Sequence, residues 1–543
     1  MLDTSSKRTL MTNPAGARRR NGVSLIVAAL SLTFIIPVVG LMIDVGILYS
    51  VRARLQAAVD GSALAAARAL SLGQTTGAQA AAAQQNAVDW FYANFPNKTW
   101  GTTNTQMTLA SVTVFDDPNN AHVRNVTVIA STTVPGYFMN WFSANPTPLS
   151  TTGNASRRDV VVMMVLDRSG SMQNAGACAT MITAAKLFTG QFAEGRDQIG
   201  LVSFSDNVFI HSNPTTSFQS VLGYQNNSGS GTGALDTIVC AGGTSTAQAI
   251  SVAYNAVYQM NLPGALNVIM FETDGLPNTL TLNFWDSTAN AAGLKSTSAC
   301  TDKNSKKMSQ SGFASAAVLP SWTPGQALGS GSYFSNIPAG IVGAVYSDDP
   351  GGTNQFDVMM KYWAPSTANS FSSTTYIAAA TAPGCAFDST HAVSPPPADI
   401  AWFPVKDVWG NSLNPAYGYL PVTLTGSHIA ANSYTTYHNA ALNATDNAAY
   451  QARSNATIPA YFFGVGLGGT STSPPDYVLM QRLANDPNGD NYNAPAKYSA
   501  CASEANCATY TTQPQGTFVF SSSPASLAQA FLAISSQVLR LSK

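Results

Sequence analysis

An uncharged, mostly apolar run of 21 residues, Val23–Ile43, restricts how this chain can fold more than any other feature. As a helix rising about 1.5 Å per residue it spans about 30 Å, the thickness of a bilayer hydrocarbon core. Asp44 closes the run, either as a functional group at the interface or as an acid that reaches water. A cleaved signal peptide is the alternative, but its apolar region would cover only about 7–15 residues. We therefore expect an uncleaved, single-pass membrane anchor.

Charge on the two sides of the run predicts its orientation. The residues before it carry one acid, Asp3, and five basic side chains: Lys7, Arg8, Arg18, Arg19 and Arg20. Because basic flanks stay on the cytoplasmic side, we expect residues 1–22 in the cytoplasm and the large C-terminal region outside the membrane.

The overall charge excludes one class of partner. Lys and Arg number 26 and Asp and Glu 27, a net charge of −1, and charged residues make up only 10% of the chain. Without a basic surface the chain has no electrostatic footprint for nucleic acid. The hydrophobic share of 45% is enough to build a large core, so the chain is not predicted to be disordered.

The N-terminal segment resembles a known family over residues 18 to about 70. A basic cluster, the apolar span, Asp44-Val45-Gly46 and the Ala-rich stretch Leu55–Ala65 follow one another. This order resembles the N-terminus of TadE/TadG-like proteins of tight-adherence (Flp-type) pilus systems. The resemblance implies a pilin-like helix in the bacterial inner membrane, an extension into the periplasm over residues 23–70, and other pilus components as partners. If Gly22 were a prepilin cleavage site, Val27 would stand where processed pilins carry Glu, so the match is to the unprocessed TadG type.

Residues 71–157 are predicted to form a small β-containing spacer. Residues 71–100 look like the fading end of the long helix followed by a loop. Alternating apolar and polar residues over 107–135, with a turn at Asp116–Asn120, predict a hairpin. Ser150–Ser156 is small and polar, which is typical of a linker.

Two apolar runs end in residues that carry oxygen ligands. The continuous apolar run Val160–Leu166 leads into Asp167-Arg168-Ser169-Gly170-Ser171, and the mostly apolar Leu266–Phe271 leads into Thr273-Asp274-Gly275. Apolar runs of this kind predict strands buried on both faces of a parallel sheet, whose carboxyl ends meet at one edge. The glycine-rich segment 241–246 opens a helix and returns to the same edge. The converging side chains offer oxygen only, which favours Mg²⁺, Mn²⁺ or Ca²⁺ over zinc or copper; they are Asp167, Ser169, Ser171, Thr244 and Asp274.

This set resembles the metal-ion-dependent adhesion site (MIDAS) of von Willebrand factor type A domains. The resemblance implies an α/β fold with a doubly wound, mostly parallel sheet over residues 158–543, and a metal bound by the five residues. It also implies an open coordination position for a ligand, often a carboxylate. Arg168 lies inside the motif and is a candidate to face that ligand, although a solvated side chain is the simpler interpretation.

The domain is interrupted by a loop-rich insertion at about 280–438. It is expected to leave the sheet beside the metal site. It is either a specificity cap over the metal or a decoration packed on the sheet.

An even number of cysteines in a low-charge chain suits disulfides and an oxidising compartment, with six buried thiols as the alternative. The six are Cys178, Cys240, Cys300, Cys385, Cys501 and Cys507. Cys178 and Cys240 could join the two metal loops, Cys300 and Cys385 could link the insertion, and Cys501 and Cys507 could close a small loop. Together these three pairs are one of about 15 possible connectivities.

These observations predict a binding protein and not an enzyme. The expected function is an exported adhesion or pilus-assembly protein that binds a protein or surface ligand through its metal. A structural assembly factor whose metal only stabilises the fold is the second hypothesis. An enzyme with its active site in the insertion is the third, but the chain holds neither an HExxH pair nor a GxSxG elbow.

Overall fold

The computed structural model describes residues 20–542, apart from positions 74, 143–144, 206–207, 225–230, 284, 287–290, 293–341, 347–401, 408, 415–419, 431–433, 469–474 and 490–511. The chain divides into two units. The first contains residues 1–69, 81–115 and 125–155, and the second contains residues 70–80, 116–124 and 156–543. Each unit is described by itself below.

The helices are α1 Arg20–Ala69, α2 Thr76–Asn94, α3 Gly170–Asn174, α4 Cys178–Thr189, α5 Phe218–Leu222, α6 Thr246–Met260, α7 Tyr434–Ser454, α8 Tyr477–Ala484 and α9 Leu527–Leu541. The strands are β1 Thr103–Gln106, β2 Val112–Asp117, β3 Asn120–Val134, β4 Thr147–Arg158, β5 Val160–Asp167, β6 Gln198–Phe204, β7 Val208–Thr215, β8 Leu266–Thr273, β9 Thr279–Asn283, β10 Trp285–Asp286, β11 Ala291–Ala292, β12 Val342–Tyr346, β13 Trp402–Phe403, β14 Leu424–Thr425, β15 His428–Ala430, β16 Tyr461–Leu467 and β17 Phe518–Ser521.

The first unit is built on α1, whose 50 residues extend about 75 Å. Its apolar half is long and hydrophobic enough to cross a membrane, and its side chains from Leu25 to Val45 are largely exposed. Pro37 lies inside the helix. Beyond the span, Val51, Leu55 and Val59 recur at helical spacing and are buried. The helix is therefore lipid-compatible in its first half and packed against protein in its second.

A four-stranded sheet, in which β1 runs antiparallel to β3, completes this unit. The strand order is β1-β3-β2, and β4 also pairs with β3. The hairpin predicted over 107–135 is present as β2 and β3 with a turn between them. The backbone of β4 lies close to that of α1. A Cβ added to Gly153 would be only 2.9 Å from the Val59 carbonyl oxygen, so a glycine is needed at this contact.

Two sequence interpretations of the spacer were wrong. Residues 71–100 were expected to be a fading helix end and a loop, but they contain α2, which begins after Gly73 takes a left-handed φ of 104°. The Ala-rich run after that turn has high helix propensity and starts a new helix. Ser150–Ser156 was expected to be a linker but lies inside β4. Its side chains are mostly exposed, so the strand lacks an apolar signal.

The second unit contains the doubly wound sheet that the sequence predicts. Its order is β17-β16-β8-β5-β6-β7. All neighbours pair in parallel except β7, which runs antiparallel to β6 at the edge. Every residue of β5 and β8 is buried. The strand directions place the carboxyl ends of β5 and β8 side by side, with Leu166 opposite Glu272.

Helices cover both faces of this sheet. On one face Val161, Met163 and Val165 of β5 pack in a core with α6, α7 and α8. On the other face Val162, Met164 and their neighbours pack with α4 and α9. Successive side chains of β5 thus pack alternately into two separate cores, one on each face of the sheet, as expected for a layered α/β domain.

The insertion leaves the domain after β8 and returns through α7. Asn278 and Thr279 begin it, and both donate backbone hydrogen bonds to the Thr244 carbonyl oxygen, 3.0 and 3.3 Å. In the returning part, Trp409 and Leu413 are buried, and the Asn411 amide donates to the Ser251 hydroxyl of α6 at 2.8 Å. The described return segment therefore packs on the helix layer, and the segments 293–341 and 347–401 lie outside the described residues.

Candidate metal centre

The candidate site lies where β5 and β8 end. Asp167 is the last residue of β5, and Asp274 follows β8 directly; both side chains are fully buried. The parallel register of the two strands brings their ends together. This edge is where ligands bind in open α/β sheets.

Four of the five predicted ligands form one hydrogen-bonded cluster. The Ser169 and Ser171 hydroxyls are 2.8 Å apart. Ser171 donates to Asp274 Oδ1 at 2.7 Å, and Ser169 lies 3.4 Å from the same oxygen. Asp167 Oδ1 accepts from the Ser169 backbone N–H at 2.7 Å. The Asp-x-Ser-x-Ser spacing thus turns both hydroxyls toward the acid that comes from the neighbouring strand.

Thr244, the fifth predicted ligand, faces the same point. A Cβ on Gly275 would lie 3.8 Å from Thr244 Oγ1 and 3.7 Å from Ser171 Oγ. The Asn278 side chain accepts from the Thr244 backbone N–H at 2.6 Å and fixes the loop. The structure therefore brings all five predicted residues to one edge of the sheet.

Backbone bonds and a disulfide hold the two contributing loops together. Gly170 N–H donates to the Gly242 carbonyl at 2.8 Å, and Ala241 N–H donates to the Arg168 carbonyl at 2.7 Å. Cys178 and Cys240 form a disulfide with their Cα atoms 6.2 Å apart. This is the pairing that the sequence suggested for the metal loops; Cys300, Cys385, Cys501 and Cys507 lie outside the described residues.

The site concentrates negative charge. Burial raises the pKa of Asp167 to about 7, the charge of Asp274 adds to the rise, and hydrogen bonds from Thr273 and Ser169 oppose it. Burial also raises the pKa of Glu272 well above its usual value, with further contributions from Asp167 and Asp274. The carboxyl groups of Asp167, Glu272 and Asp274 are all buried and close enough to interact, and a cation at this point would relieve their repulsion.

The donor chemistry fits a hard divalent cation. Hydroxyls supply three of the five predicted ligands and carboxylates supply two. In the described part of the chain no group of three or more His, Cys, Asp or Glu side chains is placed to hold a metal ion, so a cation here would depend on the hydroxyl ligands as well as on the two carboxylates. Glu272 Oε1 is buried and has no hydrogen-bond partner among the described residues. Oxygen-only donors and an orphaned carboxylate oxygen are what Mg²⁺, Mn²⁺ or Ca²⁺ would satisfy.

Sequence reasoning missed two residues of this site. Thr273 donates to Asp167 Oδ2 at 2.5 Å and orients that carboxylate. Glu272 Oε2 lies 3.4 Å from the Asp167 backbone nitrogen. An acid inside an otherwise apolar buried strand was the available signal for Glu272, because such a charge is costly to bury without a partner.

Arg168 is partly buried, and its backbone N–H donates to the Phe204 carbonyl at 2.8 Å. Its charge acts on His211, which lies between the hydroxyls of Ser203 and Thr237 at 2.7 and 3.0 Å. Burial, with a smaller contribution from Arg168, lowers the pKa of His211 to about 3. His211 is therefore neutral beside the charged Arg168.

Two family models match the chain. The von Willebrand factor type A domain matches residues 162–276, which include most of β5, all of β8 and every predicted metal ligand. The Flp pilus-assembly TadE/G-like family matches residues 22–69, which lie within α1. No curated protein sequence matches the chain.

Solved structures share only a loose likeness over the whole chain. The PilB minor pilin from Streptococcus sanguinis is 10% identical, with 81% of this chain and 79% of that chain covered and a TM-score of 0.32. The vWF domain of the type V pili tip protein Mfa5 from Porphyromonas gingivalis is 16% identical, with 72% and 98% covered and a TM-score of 0.31. The pilus adhesin SpaC from Lactobacillus rhamnosus GG is 12% identical, with 80% and 36% covered and a TM-score of 0.32.

The two family matches agree with the two parts of the molecule described above. The apolar half of α1 coincides with one match, and the doubly wound sheet with its oxygen-lined edge coincides with the other. The chain therefore joins an N-terminal helix that matches the TadE/G-like family model to a domain that matches the von Willebrand factor type A model.

Proposed function

We propose that this membrane-anchored, pilus-associated protein binds a protein or surface ligand through a divalent cation at the edge of its type A domain. In this proposal the cation is held by Asp167, Ser169, Ser171, Thr244 and Asp274. When bound, the cation would act as a Lewis acid. A carboxylate of the ligand would occupy the coordination position that these five residues leave open. The role is adhesion or pilus assembly, and the proposal includes no catalytic step.

One observation carries this proposal. The Ser171 hydroxyl donates to Asp274 at 2.7 Å while contacting Ser169 at 2.8 Å, so two loops far apart in sequence present their oxygens to one point. Turn and capping residues satisfy nearby backbone groups, but these side chains are turned toward a second, fully buried acid. Convergence of that kind is expected of ligands and not of caps.

The proposed location is the bacterial inner membrane, with the N-terminus in the cytoplasm and the large C-terminal region in the periplasm or outside the cell. The basic residues before α1 favour this orientation. The Cys178–Cys240 disulfide also supports it, because disulfides persist in oxidising compartments.

The test is capture of pilus fibres purified from the source organism by the full-length chain, immobilised in detergent. We expect capture in Mg²⁺ or Mn²⁺, release by EDTA, and loss of capture in Asp167→Ala. Asp89→Asn is the matched control, because Asp89 is an exposed acid on α2. Capture that is unaffected by EDTA would overturn the metal-bridged mechanism.

The alternative role, a structural assembly factor, gives a different outcome. There the cation would stabilise the fold without touching a ligand. Circular dichroism of Asp167→Ala separates the two roles. A folded variant that no longer captures fibres supports the proposal, whereas a folded variant that still captures them contradicts it. If the variant does not fold, Ser171→Ala, which removes one hydroxyl from a partly buried side chain, decides the question by the same measurements.

A further inference from the structure

The segment Pro135–Trp141 of the first unit docks on α1 at the point where the apolar span ends. Asp44 accepts backbone hydrogen bonds from three consecutive residues: Tyr137 at 3.0 Å, Phe138 at 3.0 Å and Met139 at 2.8 Å. Asp44 closes the uncharged run, so these bonds tie the segment to the outer boundary of the membrane span. Of the two sequence interpretations of Asp44, a group that simply reaches water does not describe this geometry.

Phe138 reaches deeper along the helix. A Cβ on Gly40 would lie only 2.7 Å from Phe138 Cβ and 2.8 Å from Phe138 Cγ. Gly40 is the one position of the helix between Leu25 and Tyr49 that is fully buried, and it precedes Asp44 by about 6 Å of helix rise. The absence of a side chain at Gly40 is what lets the Phe138 ring lie against the helix inside the apolar band.

The segment also presents large aromatic side chains that remain partly or largely exposed. Trp141 is 88% exposed, Tyr137 49% and Phe138 41%. Three exposed aromatic residues within five positions would be costly in water, but Trp and Tyr are favoured at the headgroup level of a bilayer. Headgroup layers extend about 5–8 Å beyond the hydrocarbon core on each side, which matches the helix from Asp44 to Tyr49. Tyr49 is itself 75% exposed.

We propose that Pro135–Trp141 is a second membrane contact, an aromatic segment that inserts into the outer leaflet beside α1, with Phe138 against Gly40 and Trp141 among the lipid headgroups. Asp44 is then a positioning residue that holds the segment at this depth. The occupant of the surface is lipid, because the segment is continuous with the apolar band of the span and its contacts lie at the end of that band. The inference rests on the membrane anchor and not on the metal site.

A single helix leaves the rotation and tilt of an anchor undefined, since both are set by neighbouring contacts and interfacial residues. The aromatic segment Pro135–Trp141 contacts the membrane on one side of α1 and would therefore set its rotation and tilt. The rotation determines which face of α1 beyond Tyr49 is directed along the membrane surface.

The test uses the full-length protein in phosphatidylcholine vesicles with bromine atoms on the acyl chains. Tryptophan fluorescence is compared between the native chain and Trp141→Phe, so that the difference reports Trp141 alone. We expect that difference signal to lose most of its intensity when bromine lies near the headgroup end of the chain, and less when it lies near the methyl end. A Trp141 signal unaffected by any brominated lipid would overturn the proposal.

Trp90 supplies the matched control. It is 46% exposed, and its ring nitrogen faces Gly61, which lies about 26 Å of helix rise beyond Asp44. The difference between the native chain and Trp90→Phe should not change with brominated lipid. Gly40→Leu should displace Phe138 and remove most of the quenching at Trp141, and equal quenching in Gly40→Leu would refute the docking geometry. Vesicle flotation checks the anchor separately, because a failed anchor leaves the protein out of the lipid fraction.

Discussion

Removing the Cys178–Cys240 disulfide should weaken the second unit without dismantling the site. The two residues are 62 positions apart, and cross-linking a loop of that length removes about 4 kcal/mol of conformational freedom from the unfolded chain in the chain-entropy model. The perturbation is the double variant Cys178→Ser/Cys240→Ser, which avoids leaving a free thiol. With a urea dependence of about 2–3 kcal/mol per molar, the unfolding midpoint should fall by about 1.5–2 M.

The assay is urea unfolding of the full-length chain in detergent, followed by circular dichroism. Dithiothreitol should lower the midpoint of the native chain by more than it lowers that of the double variant, because only the native chain loses the Cys178–Cys240 bond. The loops remain tied by the bonds from Gly170 to Gly242 and from Ala241 to Arg168. Because those bonds survive, affinity for Mn²⁺ should change by less than about tenfold, or about 1.4 kcal/mol. An unchanged midpoint would refute the entropic reasoning, and a much larger loss of affinity would show that the disulfide shapes the site itself.

Two further predictions concern the cores of the same unit. Phe531→Ala should lower the free energy of unfolding by about 3–5 kcal/mol, because the ring is fully buried and meets Phe188 edge-on with ring centroids 6.2 Å apart. Leu532 is 37% exposed, so Leu532→Ala should lower the free energy of unfolding far less in the same urea titration. Equal losses in the two variants would contradict the packing described for α9. Burial raises the pKa of Asp407 to about 7 from an ordinary value of 3.8, so stability should fall as the pH rises from about 4 to 7, where the unfolded chain releases this proton first. Asp407→Asn should remove this pH-dependent loss in the free energy of unfolding, which amounts to at most about 4 kcal/mol. If the variant and the native chain lose stability equally between about pH 4 and 7, Asp407 stays ionised in the folded chain.

The parts of the fold that sequence reasoning predicts are those with a strong periodic signal. Val160–Leu166 is a continuous apolar run because β5 is buried on both faces, and the same holds for most of β8. The parallel arrangement then follows, and with it the meeting of Asp167 and Asp274. Polar residues at the ends of buried strands were sufficient to locate the candidate site.

The errors have an equally physical origin. β4 contains Ser150–Ser156; its backbone pairs with β3, while most of the small polar side chains in this part stay exposed. A strand of that kind carries no hydrophobic alternation to detect. α2 was missed because Gly73 interrupts a long Ala-rich stretch, and composition alone does not separate one fading helix from two. Glu272 was missed because its role depends on three-dimensional proximity to two other acids.

Direct titration of the full-length chain with Mn²⁺ by isothermal calorimetry measures whether the candidate site binds a divalent cation. We expect one binding site per chain, competition by Mg²⁺, and loss of binding in Asp274→Asn, because Asp274 Oδ1 is the oxygen on which Ser169 and Ser171 converge. Asp89→Asn should bind as the native chain does. Absence of divalent-cation binding in the folded native chain, or undiminished binding in Asp274→Asn, would show that this edge of the sheet is not a metal site.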